Sequence, residues 1–348
     1  MACILAVVLA SSGLDQLIAD TEAEILGVIS LAQDERTGAL YEMVRYHLGL
    51  DDDGAGSVRG KRLRPLLGLL AYESLTGDHR AALPGAAAVE LGHNFSLVHD
   101  DIEDRDVERR HRATLWTVWG VAQAINAGDT LFTLSRMALH RLTELGFSDA
   151  KVLALMRLYD ETCLALCEGQ FMDIWGAEHD ESLSVDFYFD MIGRKTAALI
   201  AASVQAGAML ATDDAQVIDA YRGFGWSLGI AFQLNDDLLG IWGDEQTTGK
   251  EPSDLAKHKK TLPVIYALER AAAADRDRLR EIVAYAEPDL AAIAEARAIL
   301  DRCGAREYTR ERAHAERDAA LQRLASAGVV GHDALERLRM IGVSAISA

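Results

Sequence analysis

The feature that most constrains this chain is helical periodicity that runs all the way round a segment. From Ala197 to Leu210 apolar residues fill nearly every position, so the helix they form has no solvent face and must lie at the centre of other helices. From Leu14 onward most other segments also repeat apolar residues at a spacing near 3.6, with short Gly and Asp punctuation between them. The pattern predicts helices over roughly 14–33, 36–48, 60–76, 84–103, 116–145, 149–175, 185–211, 214–242, 261–273, 275–286, 289–302, 304–327 and 331–340. No segment alternates as a strand would, and no linker divides the chain. The expected fold is therefore all-α, with residues 14–348 as one domain. Residues 1–13 are expected to be an apolar extension, from a misassigned start or a docked tail, since Met1 to Ala10 has no basic n-region.

Composition excludes several classes. A formal net charge of −19 is incompatible with a nucleic-acid-binding surface, which needs a basic footprint. No run reaches about 18 uninterrupted apolar residues, so no membrane span is expected. Cys3, Cys163, Cys167 and Cys303 lack metal-ligand spacing, and are expected to be packed, reduced thiols of a cytoplasmic protein. The Ala-, Arg- and Glu-rich region 275–340 reads as solvated helices with surface ion pairs.

Against this background two acidic segments stand out. In Leu97-Val98-His99-Asp100-Asp101-Ile102-Glu103-Asp104, Asp100 and Asp104 are one helical turn apart and face the same way. They close an apolar helix, where the dipole favours cations and paired carboxylates repel. Oxygen ligands on one face suit Mg²⁺, which takes one or two carboxylates together with substrate phosphates. Alone, the segment reads equally well as an acidic helix end in water. A second acid pair, in Gln233-Leu234-Asn235-Asp236-Asp237, is embedded in another apolar helix. Two such helices facing each other would form a carboxylate cage for divalent ions clamping a diphosphate.

Basic residues recur beside both segments. Gly60-Lys61-Arg62-Leu63-Arg64-Pro65 opens an apolar helix, Arg109-Arg110-His111-Arg112 follows the first acid motif, and Gly193-Arg194-Lys195-Thr196 heads another helix. Lys250, Lys257, Lys259 and Lys260 follow the second acid pair. Each alone reads as solvated charge; together they would make two anion pockets around one metal cluster.

At these residues the chain resembles the trans-isoprenyl diphosphate synthases, by motif from about Gly60 to Pro263 and beyond by helical pattern. Gly-Lys-Arg-Leu-Arg-Pro, Asp-Asp-x-x-Asp with Arg-Arg after it, Lys-Thr, Gln-x-x-Asp-Asp and the downstream lysines occur in that family's order. The resemblance implies a helical bundle of the isoprenoid-synthase type around a central active-site cavity, a homodimer, and three Mg²⁺ ions per active site. It implies that Asp100, Asp104 and Asp236 hold the metal. Arg109, Lys195, Thr196, Gln233, Lys250 and Lys259 would then contact the allylic diphosphate. Lys61, Arg64, His93 and Arg110 would hold isopentenyl diphosphate. His93 also reads as a structural histidine, but it lies seven residues before Asp100, two turns along the same face.

Three positions depart from the family pattern. Gly240 stands where the second motif usually has a third Asp, and His111 and Ala113 stand where Gly and Pro are common. These leave two other readings beside elongation: a class I terpene cyclase acting on a prenyl diphosphate, or a noncatalytic subunit of a heteromeric synthase. Retention of every basic motif favours elongation. Phe95 and Ser96, five and four residues before Asp100, occupy the positions that limit chain length in the family. Bulky Phe95 implies a short product, geranylgeranyl diphosphate before farnesyl diphosphate, and Phe95→Ala is expected to lengthen it.

Overall fold

The structure, a computed structural model, describes residues 14–51, 60–178, 183–243, 254–257, 259–285, 288–329 and 333–344. The chain builds α1 (Asp15–Ala32), α2 (Gly38–Leu48), α3 (Leu63–Thr76) and α4 (Leu83–Glu103). A short antiparallel ladder, β1 (Glu108–Arg109) with β2 (Arg112–Ala113), precedes α5 (Leu115–Trp119), α6 (Val121–His140) and α7 (Asp149–Glu178). Next come α8 (Val185–Ile192), a π turn over Gly193–Ala197, α9 (Ala198–Ala211) and α10 (Ala215–Trp242). The chain continues through α11 (Leu262–Arg270), α12 (Ala273–Val283), α13 (Leu290–Arg302), α14 (Ala305–Ser326) and α15 (Asp333–Ser344).

The helix without a solvent face is α9. Leu199, Ile200, Val204, Ala208 and Leu210 are all buried on it, and it packs against α3, α7 and α10. A Cβ at Gly207 would lie 2.1 Å from the Gly68 carbonyl oxygen, so α3 and α9 cross backbone against backbone, an approach only glycine permits. Among the described residues no helix is long and apolar enough to cross a membrane.

Several boundaries differ from the sequence expectation, each for a local reason. Helix α3 starts at Leu63 because Arg62 adopts a left-handed conformation, φ +49°. The expected helix over 116–145 is divided at Gly120, whose φ of +83° and ψ of 161° separate α5 from α6, and it ends in a 3₁₀ turn, Arg141–Thr143. The C-terminal region carries exposed ion pairs such as Arg278–Glu295 at 2.7 Å and Arg302–Asp275 at 2.6 Å. It is not solvated throughout: α14 buries Ala313, Ala320 and Leu324 and packs along α10.

Arg62 fixes the segment that leads into α3. Its side chain is fully buried; Nη1 donates to Glu90 Oε1 at 2.7 Å, Nε to Glu22 Oε1 at 3.3 Å and Nη2 to the Leu48 carbonyl at 2.6 Å. One guanidinium thereby joins α1, the end of α2 and α4, and sets where Lys61 and Arg64 stand on either side of it.

Candidate active site

The two acid pairs divide their work in the same way. On α4 the helical hydrogen bonding continues through Asp104, whose amide donates to the Asp100 carbonyl at 2.8 Å. Burial pushes the Asp100 carboxyl up to about 7, with Asp104 and Glu103 adding to it and Lys195 opposing. Asp104 is also raised, chiefly by burial. Neighbouring Asp101 is buried and accepts from Arg109 Nε at 2.6 Å, while its other oxygen has no hydrogen-bond partner. On α10 Asp236 is exposed and Asp237 is buried. Asp237 accepts from the Tyr188 hydroxyl, the Leu262 amide at 2.8 Å and Gln233 Nε2 at 3.2 Å, and burial holds it up at about 7. In each pair one carboxylate anchors its surroundings and the other is left to meet a ligand.

The cations meet these acids from other elements. Lys195 sits in the π turn, a distortion that is common at functional sites, and donates to Asp173 Oδ2 of α7 at 2.5 Å. Burial pulls Lys195 down, but Asp173, Asp100 and Asp104 together raise it. Thr196, next to it, donates to Gln233 Oε1 at 2.9 Å, which continues the chain through Gln233 to Asp237. Burial acts against Lys259 as well, and Asp254, Asp236, Asp237 and Asp173 outweigh it. Asp100, Asp104, Asp236, Lys195 and Lys259 thus share one electrostatic neighbourhood. Lys250 lies outside the described residues.

A second cationic group lies around α3 and α4. Arg64 Nη1 is 3.0 Å from His93 Nε2, and Arg64 Nε is buried with no hydrogen-bond partner. Burial lowers Arg64 to about 10. It also holds His93 well below the usual histidine range, with Arg64, Arg110 and Arg109 adding to the effect, so His93 is neutral here. Burial likewise lowers Arg110. Lys61 is exposed at the entry to α3. His47 of α2, which the sequence pattern did not single out, is lowered to about 3 by burial and then by Arg110, Arg109 and Arg62. Its Nε2 is buried without a partner. Unpartnered nitrogens among arginines are the equipment of an anion pocket. Arg110 and His111 form the tip of the β1–β2 hairpin at φ +54° and +60°, a conformation that favours glycine.

Phe95 and Ser96 lie below the acids on α4. The Phe95 ring packs edge-on against Phe132 of α6, centroids 5.1 Å apart, and against His99 at 5.9 Å. Ser96 is half-buried and returns its hydroxyl to the His93 carbonyl at 2.9 Å.

Two acids absent from the sequence reading complete the site. Asp173 follows Phe171 and Met172 on α7 and precedes Ile174 and Trp175; a lone acid in an apolar, aromatic run was the available signal. Asp254 answers the departure at Gly240. A Cβ built on Gly240 would lie 1.8 Å from Asp254 Oδ2, and the Asp254 amide donates to the Gly240 carbonyl at 3.2 Å. The space one turn beyond Asp236 therefore holds a carboxylate delivered from the following loop. Restoring the family residue by Gly240→Asp should lower the thermal midpoint and fail to raise activity, because the new side chain must evict Asp254. A gain in either measurement would contradict this packing.

The donor set fits a hard divalent cation. It consists of carboxylate oxygens, and at Asp100 and Asp104 burial penalises the ionised form, a penalty that a cation would relieve. Among the described residues no group of three or more acids, histidines or cysteines is arranged to hold an ion alone. Mg²⁺ takes one or two carboxylates and fills its shell from phosphate and water. The same carboxyls dictate a pH response. Asp100 and Asp237 at about 7 and Asp101 at about 6 bind protons more tightly folded than unfolded, so stability is lost as pH rises towards those values. His47 and His93, kept neutral by the fold, work the other way below the ordinary histidine value of 6.5 and are largely spent above it. Thermal midpoints of the protein in EDTA should therefore fall between pH 6.5 and 8; a flat or rising profile would contradict the assignment.

Acids and cations gathered at the ends of buried helices define a diphosphate-handling enzyme of the all-helical class. The polyprenyl synthetase family model matches residues 54–300. The chain is 40% identical over 300 residues to the (2E,6E)-farnesyl diphosphate synthase of Mycobacterium bovis, covering 80% of this chain and 81% of the relative. It superposes on the crystal structure of geranylgeranyl pyrophosphate synthetase from Pyrococcus horikoshii with a TM-score of 0.87 at 30% identity, covering 99% and 98% of the two chains. It also superposes on geranylgeranyl pyrophosphate synthase from Corynebacterium glutamicum, a structure complexed with isoprenyl diphosphate and magnesium, with a TM-score of 0.78 at 25% identity and 98% coverage of both chains. The chain belongs to the polyprenyl synthetase family.

Proposed function

We propose that this trans-prenyltransferase condenses isopentenyl diphosphate with an allylic diphosphate and releases geranylgeranyl diphosphate in preference to farnesyl diphosphate. The observation that carries the reading is the presence of two separate cationic groups beside one set of carboxylates. Lys195, Thr196, Gln233, Arg109 and Lys259, with Lys250, hold the allylic diphosphate. Lys61, Arg64, His93 and Arg110 hold isopentenyl diphosphate. Asp100, Asp104 and Asp236 would hold Mg²⁺, three ions per site, which would supply positive charge against the departing diphosphate.

The chain's own residues do the rest. The cations stabilise the diphosphate as its bond to the allylic C1 breaks and the electron pair leaves with oxygen. The second pocket holds isopentenyl diphosphate close enough for its double bond to attack that carbon. A proton is then lost to the released diphosphate, and a trans double bond forms. His93, neutral and bonded to Arg64, orients the guanidinium and supplies no charge of its own. The allylic carbon must be kept from water and other nucleophiles, or the carbocation formed there would be quenched.

We read residues 14–348 as one synthase domain acting as a homodimer in the cytoplasm. Support for a second copy comes from exposed apolar side chains on adjacent helices: Val121, Ile125 and Met137 of α6, and Leu153, Leu164 and Phe171 of α7. The described cysteines, Cys163, Cys167 and Cys303, are all free thiols, as a reducing compartment requires. Incubation with Mg²⁺, labelled isopentenyl diphosphate and each allylic primer, followed by phosphatase treatment and sizing, tests the reaction. A ladder ending at twenty carbons is expected; no incorporation with any primer would overturn it.

A further inference from the structure

Helix α8 is only eight residues long, yet it is tied to both neighbours that carry the allylic side of the site. Its last residue, Ile192, leads directly into the π turn with Lys195 and Thr196. At its other end the Val185 amide donates to Glu269 Oε1 of α11 at 2.7 Å. Between these ends Tyr188 is 1% exposed and shares one apolar cluster with Leu234 of α10 and Leu262 and Ile265 of α11. A tyrosine buried this deeply needs a partner for its hydroxyl, and its partner is Asp237.

That bond closes a circuit. Tyr188 donates to Asp237 Oδ2, which also accepts the Leu262 amide at 2.8 Å. Asp237 Oδ1 accepts from Gln233 Nε2, one turn back on α10, at 3.2 Å. The Gln233 amide is thereby fixed end for end, and its Oε1 accepts the Thr196 hydroxyl at 2.9 Å. Thr196 returns to Tyr188 through the π turn. On the other branch, the Leu262 amide opens α11 three residues after Lys259, whose own amide donates to the Asp254 carbonyl at 3.0 Å. Lys195, Thr196, Gln233 and Lys259 all lie on or beside this circuit, whereas Lys61, Arg64, His93 and Arg110 take no part in it.

We infer that Tyr188 is a positioning residue for the allylic diphosphate: its hydroxyl holds Asp237, and Asp237 keeps the Thr196–Gln233 pair and the start of α11 in register with each other. This rests on the prenyl-elongation reading above. Buried in its apolar cluster, Tyr188 acts only through Asp237. Without the hydroxyl, one oxygen of a buried carboxylate is left with a single donor, and Gln233 loses the fixed neighbour that sets the direction of its amide.

The test compares wild type, Tyr188→Phe and Tyr221→Phe, all with Mg²⁺, by KM for each substrate and by calorimetric Kd for a non-ionising thiolo analogue of the allylic diphosphate. Tyr221 is the control on the same helix as Asp237. It is fully buried, its hydroxyl lies 2.6 Å from Ser74 Oγ, and it stands roughly 24 Å along α10 from Asp237. Tyr188→Phe should raise the allylic KM and the analogue Kd about tenfold, the scale of one hydrogen bond to a charged group. KM for isopentenyl diphosphate should stay within about twofold, since its pocket is outside the circuit. Tyr221→Phe should lower the thermal midpoint and leave both KM values as they are. Should Tyr188→Phe not fold, Asp237→Asn breaks the same circuit and carries the same expectation. A folded Tyr188→Phe with the wild-type allylic KM and Kd, an equal rise in both KM values, or an equal allylic effect from Tyr221→Phe would each overturn the inference. A wild type that incorporates no isopentenyl diphosphate would instead overturn the elongation reading, and this inference with it.

Discussion

Arg62→Met is expected to cost about 3–5 kcal/mol of unfolding free energy, the loss typical when one partner of a buried ion pair is removed. The reason is what remains. Glu90 and Glu22, both buried, would face each other without the guanidinium that lies 2.7 Å from one and 3.3 Å from the other. The Leu48 carbonyl at the end of α2 would also lose its donor. Part of the damage would reach the site, because Arg62 sets the backbone between Lys61 and Arg64 in a left-handed turn. Arg62→Lys should be milder, since it keeps the charge but not the forked geometry that reaches three acceptors. Urea unfolding of the three proteins decides it. A loss below about 1 kcal/mol for Arg62→Met, in the range of an exposed pair, would show that the network is not carrying the fold.

Arg62 also marks the limit of what the sequence could disclose. Gly-Lys-Arg-Leu-Arg-Pro shows three cations in four positions, and nothing local says which one points inward. The surrounding helices decide, and their acids come from residues 22 and 90. The acid pairs were legible because one turn of helix separates Asp100 from Asp104, and periodicity reports that directly. The division of labour within them was not, since Asp101 and Asp237 take their roles from Arg109, Tyr188 and Leu262. Gly240 could be seen as a departure but not as a space, because Asp254, which fills it, arrives from a loop that carries no periodic signal. The fold was more open to reading than the site for the same reason. An apolar stripe belongs to one helix, whereas a pocket belongs to several.

Asp100→Asn should reduce turnover by roughly 10²–10³-fold, the effect of removing one preorganised electrostatic group from a site of this kind, while leaving the metal-free protein as stable as wild type or more so. The two halves have one cause. Asp100 is forced into a position where burial opposes its charge, enough to lift its carboxyl to about 7. The isosteric amide keeps the shape and has no charge to desolvate, so folding gains what catalysis loses. Lys195 would lose one of the three carboxylates that raise it above its ordinary value, Asp173 and Asp104 remaining, so its proton should be held less tightly. The decline in thermal midpoint between pH 6.5 and 8 should also be shallower, because one of the carboxyls that titrates there is gone. Activity, the midpoint in EDTA and its pH slope together separate this account from simple misfolding, in which the midpoint falls along with turnover. An Asp100→Asn protein that keeps wild-type turnover would remove Asp100 from the site.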